Sequence, residues 1–136
     1  MKLQMPIKSA WKALLGMIAL VALPGVANAQ SFSCAGSGAG AYCQYTGKVA
    51  RAYINDGNLI LMYFEQPINT NLPAAVGITG ITQAAAGAYY TPNNPEFAEY
   101  LYSTIVTALA ADKTVSLQFK AAQSGYLRIN KIWLYS

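Results

Sequence analysis

The segment NPEFAEYLYSTIVTALAADKTVSLQFK, residues 94–120, joins one clear helix to one clear strand. Asn94 can cap free backbone amides, and Pro95 then fits the first helical position. Apolar residues follow at intervals of three and four, which is typical of a helix that buries one face. Apolar and polar residues then alternate over 114–120, as in a half-buried strand. The segment therefore predicts a helix over residues 94–111 followed by a strand.

Three strands are predicted before this helix. The first two, 45–54 and 58–64, are rich in β-branched and aromatic residues and flank the turn sequence Asn55-Asp56-Gly57. They form the clearest hairpin in the chain. A third strand is expected within residues 74–90, where apolar residues alternate with small ones.

The last strand is predicted over residues 126–135, and its apolar positions change phase near Asn130 or Lys131, which indicates a β-bulge. Three strands, one helix and two strands is the element order of the five-stranded OB barrel, in which the helix plugs one end. Other small α+β sheets share this order. We therefore predict an α+β, mainly β domain over residues 44–136, with an OB-like barrel as the architecture.

The first 29 residues have the three parts of a secretory signal peptide: early lysines, the apolar run 13–23, and Ala27-Asn28-Ala29 before Gln30. The run is about half of the 20 or so residues that a bilayer core requires. Cleavage before Gln30 predicts an exported domain, periplasmic or secreted, with no remaining membrane span. An uncleaved membrane anchor is the alternative.

Removal of this segment changes the charge of the chain. Three of the nine basic residues leave with it and none of the five acidic residues does, so six basic and five acidic residues remain and the net charge falls from +4 to +1. Nucleic-acid binding is therefore not expected.

Both cysteines, Cys34 and Cys43, lie in the part that is predicted to be exported, where the compartment is oxidising and a disulfide can form. A metal pair is the competing interpretation, but the chain has no histidine to complete such a site. Residues 30–43 are predicted to be a glycine-rich N-terminal loop that this disulfide closes.

The absence of histidine removes the usual catalytic triads and histidine bases. Glu96 and Glu99 are the closest pair of acids, but carboxylates in the first turn of a helix are explained by the helix dipole. The two cysteines do not have the CxxC spacing of redox sites. The sequence predicts neither an enzyme nor a cofactor.

Tyrosine is the positive signal, with ten residues that all follow the signal segment. Rings with a polar edge suit sugars and protein interfaces alike. Tyr89 and Tyr90 lie in a loop-like stretch, and adjacent rings cannot both point inward along a strand. These two are the candidate ligand-binding residues, with Arg51 and Asp56 near the hairpin as polar contributors.

The stretches PEFAEYLYST (95–104), LAADKTVSL (109–117) and GYLRIN (125–130) resemble the helix and the last two strands of the subtilase cytotoxin B subunit and related small bacterial exported proteins. The resemblance covers the second half of the mature chain. It implies an OB-type barrel, a ring of five copies, binding of cell-surface glycans and a separate exported catalytic subunit. It transfers no site residue, and the disulfide here is expected to close a tight loop instead of bridging strands.

The favoured function is therefore an exported, non-enzymatic glycan-binding subunit. A periplasmic or secreted protein–protein interaction module, such as an inhibitor or an assembly component, is the alternative.

Overall fold

Seven strands and two α-helices form in residues 29–136, the part of the chain that the computed structural model describes. The strands are β1 (Ser31–Ala35), β2 (Tyr42–Lys48), β3 (Arg51–Ile54), β4 (Leu59–Tyr63), β5 (Ala86–Tyr90), β6 (Thr114–Gln123) and β7 (Tyr126–Leu134), and the helices are α1 (Asn71–Ala75) and α2 (Pro95–Ala110). The predicted mixed, mainly β class is confirmed. The signal peptide predicted for residues 1–29 lies, apart from Ala29, outside the described residues.

All seven strands belong to one sheet, in the order β1-β2-β6-β7-β5-β4-β3. The pair β5–β7 is parallel and the other pairs are antiparallel. The sheet is not closed, so the five-stranded barrel is not confirmed. Only Val49 and Ala50 separate β2 from β3 along the chain, although these strands lie far apart in the order, so the sheet must curve strongly.

The predicted hairpin is confirmed, because β3 and β4 pair antiparallel around the turn. Asn55 fixes this turn: its side-chain oxygen accepts a hydrogen bond from the Leu59 amide at 3.1 Å. Asn58 adopts a φ of 62°, a conformation that asparagine tolerates better than most residues. The single strand predicted over residues 45–54 is wrong in one respect, since it is divided into β2 and β3.

The third predicted strand is shorter and later than expected. Within residues 74–90 only β5 is a strand, and the stretch before it consists of the end of α1 and a loop. Ile78 in that loop is nevertheless buried. Some apolar residues of this loop pack against the core. Their alternation with small residues therefore resembles the alternation expected of a half-buried strand.

Helix α2 follows the prediction closely. The Asn94 side chain accepts a hydrogen bond from the Phe97 amide at 3.1 Å, which caps the helix. Its buried residues are Ala98, Leu101, Ile105 and Ala108. The apolar spacing of three and four also places Leu109 near this face, but its side chain is 40% exposed, whereas the adjacent Ala108 is buried.

The predicted bulge is confirmed in the ladder between β6 and β7. Gln118 pairs with Lys131 and Phe119 pairs with Ile129, so Asn130 has no partner residue in the register. The extra residue lets Ile129 and Ile132, which are three positions apart, both face the core.

The predicted disulfide between Cys34 and Cys43 is confirmed. The predicted loop over residues 30–43 is wrong for its first part, because Ser31–Ala35 forms β1 and the two cysteines lie directly opposite each other across β1 and β2. The bond therefore bridges two strands. Gly36 allows the tight return between them, since it has a φ of +79° and a Cβ there would lie 2.3 Å from the Gly40 carbonyl oxygen.

Candidate functional site

The outward side chains of β3, β4, β5 and β7 form an aromatic surface. Strand register sets this arrangement, because Tyr53 pairs with Leu61, Leu61 with Ala88, and Ala88 with Arg128. Residues that pair directly share a face of the sheet. We call this surface the tyrosine face, and it consists of Arg51, Tyr53, Leu59, Leu61, Tyr63, Ala86, Ala88, Tyr90, Tyr126 and Arg128.

The floor of the tyrosine face is formed by Leu61, Ala86 and Ala88, which are buried at 3%, 0% and 0% exposure. They form a small cluster separate from the main core, and the side chains packed against them include Tyr63 and Tyr126. Alanine side chains end close to the backbone, so the larger rings stand above them. The result is a surface whose exposed parts are the rings, lying over an apolar layer that they cover.

Two rings of this surface are the most open to solvent. Tyr53 is 42% exposed and Tyr90 is 36% exposed. Tyr90 is the cross-strand partner of Leu59, and Tyr53 is that of Leu61. Each ring presents an apolar plane beside a hydroxyl group that both donates and accepts hydrogen bonds.

Arg51 adds a fixed positive charge to the same surface. Its Cζ atom lies 3.9 Å from the centroid of the Tyr63 ring, and the two residues are cross-strand partners. A guanidinium stacked in this way is held by the ring while its N–H groups remain free to bind an acceptor. Arg128, the neighbour of Ala88, is a second cation on the face.

A polar pocket opens beside the tyrosine face, where β5 and β7 separate. These strands pair only at Gly87–Leu127 and Ala88–Arg128. Beyond this point a pocket of about 360 Å³ lies between them and the start of α2. Its lining includes Tyr89, Asn93, Asn94, Phe97, Arg128 and Asn130, so Arg128 belongs to both the face and the pocket.

Asn130, beside this pocket, has an unsatisfied polar atom. Its amide nitrogen donates to the Gln118 side-chain oxygen at 3.3 Å, whereas its Oδ1 atom is buried with no partner among the described residues. A buried acceptor without a partner costs roughly 1–3 kcal/mol. Because that atom is shielded from solvent, it is not a contact point for a ligand in the pocket.

The structure separates the two tyrosines singled out from the sequence. They end strand β5, so the expected loop is wrong, and the alternation of the strand sends the rings to opposite faces. Tyr89 is 7% exposed and packs edge-on against Phe97, with ring centroids 4.9 Å apart. Tyr90 joins the tyrosine face together with Arg51. Asp56 lies in the hairpin turn, outside the face.

Sequence reasoning missed Tyr53, Tyr63, Tyr126 and Arg128 as members of one surface. The signal available was alternation, since Tyr53 is two residues from Arg51 and Tyr63 is two residues from Leu61. That spacing places such pairs on one face of a strand, but it does not say which strands are neighbours.

Tyr45 differs from the rings of the tyrosine face. It lies in the core at 0% exposure, and its hydroxyl donates to the Lys48 carbonyl at 2.7 Å. Burial raises the pKa of this phenol to about 12. Its role is structural, and its hydroxyl is not open to a ligand.

Comparisons of the chain with protein-family models, curated proteins and solved structures find no match. The resemblance of the second half to toxin B subunits therefore stays a prediction. Within residues 29–136, no helix is both long enough and apolar enough to span a membrane.

Proposed function

We propose that this protein is an exported, non-enzymatic carbohydrate-binding module and that the tyrosine face is its binding surface. The observation that carries the proposal is the set of four tyrosines, Tyr53, Tyr63, Tyr90 and Tyr126, around a buried alanine floor. The C–H groups of a sugar ring pack on such rings, and its hydroxyls bond to phenols and to a guanidinium. Arg51 supplies that guanidinium.

The polar pocket between β5 and β7 could distinguish one sugar from another. Arg128 offers donors at its rim, and Asn93 also lines it. A sugar lying on the tyrosine face would therefore direct one substituent into this pocket. Sites that bind small molecules combine an apolar surface with a few convergent polar groups in the same way.

An OB-like barrel is part of the proposal. Its support is the short Val49–Ala50 connection between β2 and β3, the parallel pair β5–β7, and the position of α2 between β5 and β6. By analogy, OB folds bind oligosaccharides and oligonucleotides on the face of their second and third strands, and β4 and β5 would take those places here. The small net charge favours sugars over nucleic acid.

Export and assembly into a ring complete the proposal. The disulfide supports an oxidising compartment. Strand β1 lies at one end of the sheet order, so one of its edges is open to pair with a neighbouring copy. Light scattering on purified protein tests this part, with a pentamer expected and a monomer contradicting the ring.

A glycan array tests the binding function itself, using protein purified after expression of the full chain. The wild type is expected to retain at least one class of glycan. The double variant Tyr53→Ala/Tyr90→Ala should lose that retention with an unchanged circular dichroism spectrum. Tyr100→Ala is the matched control, because Tyr100 is 62% exposed on α2, away from the face. It should bind as the wild type does.

Two results would reject glycan binding at this surface. The first is a wild type that retains no glycan on a broad array, and the second is a double variant that binds as well as Tyr100→Ala. The first result would favour the protein–protein interaction module, since rings and arginines also suit protein interfaces.

A further inference from the structure

A second concave surface lies away from the tyrosine face. It is a groove of about 530 Å³, bounded by the end of β2, the turn between α2 and β6, and the residues that follow β7. Its lining includes Thr46, Lys48, Asp112, Lys113, Thr114 and Tyr135. The groove plays no part in the function proposed above.

A lysine and an aspartate are held together at this groove. The Lys48 ammonium lies 3.1 Å from the Asp112 Oδ2 atom and also donates to the Asp112 carbonyl. The main chain of Lys48 is fixed as well, since its N–H donates to Glu65 and its carbonyl accepts from the Tyr45 hydroxyl. The side chains are 29% and 89% exposed respectively, so the carboxylate is the open half of the pair.

Asp112 is a poor choice for stability at its position. It follows the C-cap of α2 with a φ of 50°, where glycine is usual. Its negative charge also stands at the negative end of the helix dipole. An exposed ion pair with Lys48 returns only about 0–1 kcal/mol. Asp112 is therefore unfavourable both for its backbone conformation and for its charge at the helix end, and its ion pair adds little stability. A residue of this kind is a candidate for function.

The hydroxyl groups beside the pair are ordered by a network. The Ser116 hydroxyl donates to the Tyr45 carbonyl and accepts from the Gln44 amide. It is also 2.8 Å from the Thr46 hydroxyl. Because the Ser116 proton is already used, Thr46 must be the donor in that contact. The lone pairs of Thr46 are therefore free to accept a hydrogen bond from a ligand.

One exposed ring lines the groove, and a second lies on the strand beside it. Tyr135 lines it and is 48% exposed, and its amide donates to the Thr114 carbonyl at 3.0 Å. Trp133 is 42% exposed and pairs across the ladder with Ser116, in the row that also contains Thr46. The two rings are two residues apart, so they lie on one face of the extended chain.

We propose that this groove is a second carbohydrate site, which binds a pyranose ring with adjacent free hydroxyls. Asp112 and Thr46 accept protons from those hydroxyls, and the remaining N–H of Lys48 donates to a hydroxyl oxygen. Tyr135 packs against the C–H face of the ring, and Trp133 lies beside it on the same face of the chain. A free anion fits less well, because Asp112 already neutralises Lys48 and would repel it. Two such sites on one chain would bind a branched or clustered glycan with avidity.

Nuclear magnetic resonance titration tests this site directly. Trp11 and Trp133 are the only tryptophans in the sequence, so the indole N–H signal of Trp133 is easily assigned and reports on the surface beside the groove. The probes are the methyl glycosides of glucose, galactose, mannose and N-acetylglucosamine, added to protein purified after expression of the full chain. At least one probe is expected to move the Trp133 indole and Tyr135 amide signals to saturation.

Two aspartate-to-asparagine variants, one in the groove and one elsewhere, test whether the binding depends on Asp112. Asp112→Asn keeps the shape and tolerates positive φ, but it removes the charged acceptor and should weaken binding at least about tenfold. Asp56→Asn removes an exposed turn carboxylate elsewhere and should leave the affinity unchanged. Tyr53→Ala should also leave it unchanged, which separates this site from the tyrosine face.

Three outcomes would overturn the second site. They are no saturable shift with any of the four glycosides, equal affinity of Asp112→Asn and the wild type, or loss of the shift in Tyr53→Ala. The last outcome would assign the binding to the tyrosine face instead.

Discussion

The two faces of strands β4 and β5 are both buried, but by different means. On the inner face, Ile60, Met62 and Tyr89 lie in the main core, to which α2 also contributes. On the outer face, Leu61, Ala86 and Ala88 are equally buried, but the side chains packed on them come from the sheet itself and include Tyr63 of β4 and Tyr126 of β7. The inner residues are covered by a helix, which is not available to a ligand. The outer residues are covered only by side chains, and the rings among these side chains remain open for a ligand to contact.

The largest effect is expected on the inner face, from Leu101→Ala. Leu101 is fully buried between α2 and the sheet, so its truncation should lower the free energy of unfolding by about 2–5 kcal/mol. Urea denaturation measures this change. A loss below about 1 kcal/mol would show that α2 is not the element that closes the core.

A methyl group added at Gly87 tests the packing of the inner face within β5. Position 87 faces the core, between the outward-facing Ala86 and Ala88. A Cβ there would lie 2.7 Å from Phe119 Cε1 and 3.1 Å from Ile129 Cγ1. Gly87→Ala should therefore cost about 1–3 kcal/mol by overpacking. Gly40→Ala is the control, since a Cβ there meets no atom within 4 Å. If both variants unfold like the wild type in urea, the inner packing described here is incorrect.

Removing the hydroxyl of Tyr45, which is hydrogen-bonded inside the core, should lower the free energy of unfolding by less than the core truncation does. Tyr45→Phe loses the bond to the Lys48 carbonyl and should cost about 1 kcal/mol at neutral pH. The pKa of Tyr45 is raised from 10.0 to about 12, so between these values the unfolded chain loses the proton while the folded chain keeps it. The free energy of unfolding therefore falls as pH rises through this window.

Urea denaturation at about pH 9 and at about pH 11.5 checks the pH effect. The wild type should lose more stability between the two conditions than Tyr45→Phe, because the variant lacks this titrating group. Equal losses in the two proteins would mean that the Tyr45 hydroxyl is not buried as described.

Local patterns predicted part of this fold well. The cap at Asn94, the helix after it, the β3–β4 hairpin and the bulge at Asn130 all follow from residues close together in sequence. The disulfide followed from the count of two cysteines and the predicted compartment. Strand β5 was poorly predicted, because Ala86-Gly87-Ala88 has low strand propensity and is held in the sheet by pairing on both sides.

The tyrosine face was beyond the reach of sequence patterns. It requires that β5 lie between β4 and β7, and β7 begins 36 residues after β5 ends. Tyr90 and Arg51 were selected for their chemistry and do fall on the face. Tyr89 was selected on the same grounds, but it precedes Tyr90 by one residue in β5, so its side chain lies on the opposite, core-facing side of the sheet.

The smallest stability effect is expected on the outer face. Tyr53 and Tyr90 are more than a third exposed, so the double variant Tyr53→Ala/Tyr90→Ala should lower the free energy of unfolding by no more than about 1 kcal/mol. Thermal denaturation beside Leu101→Ala checks this order. A loss as large as that of Leu101→Ala would make the two rings part of the core and not a surface for a ligand.

The most direct test of the tyrosine face observes the rings themselves. Protein labelled with ¹³C in its tyrosine rings is titrated with the glycan that the array identifies, and ring signals are assigned by tyrosine-to-phenylalanine substitution. We expect saturable shifts for Tyr53 and Tyr90, with Tyr45 in the core and Tyr100 on α2 unchanged. Shifts confined to Tyr100, or a bound glycan that leaves Tyr53 and Tyr90 unmoved, would show that the tyrosine face is not the binding surface.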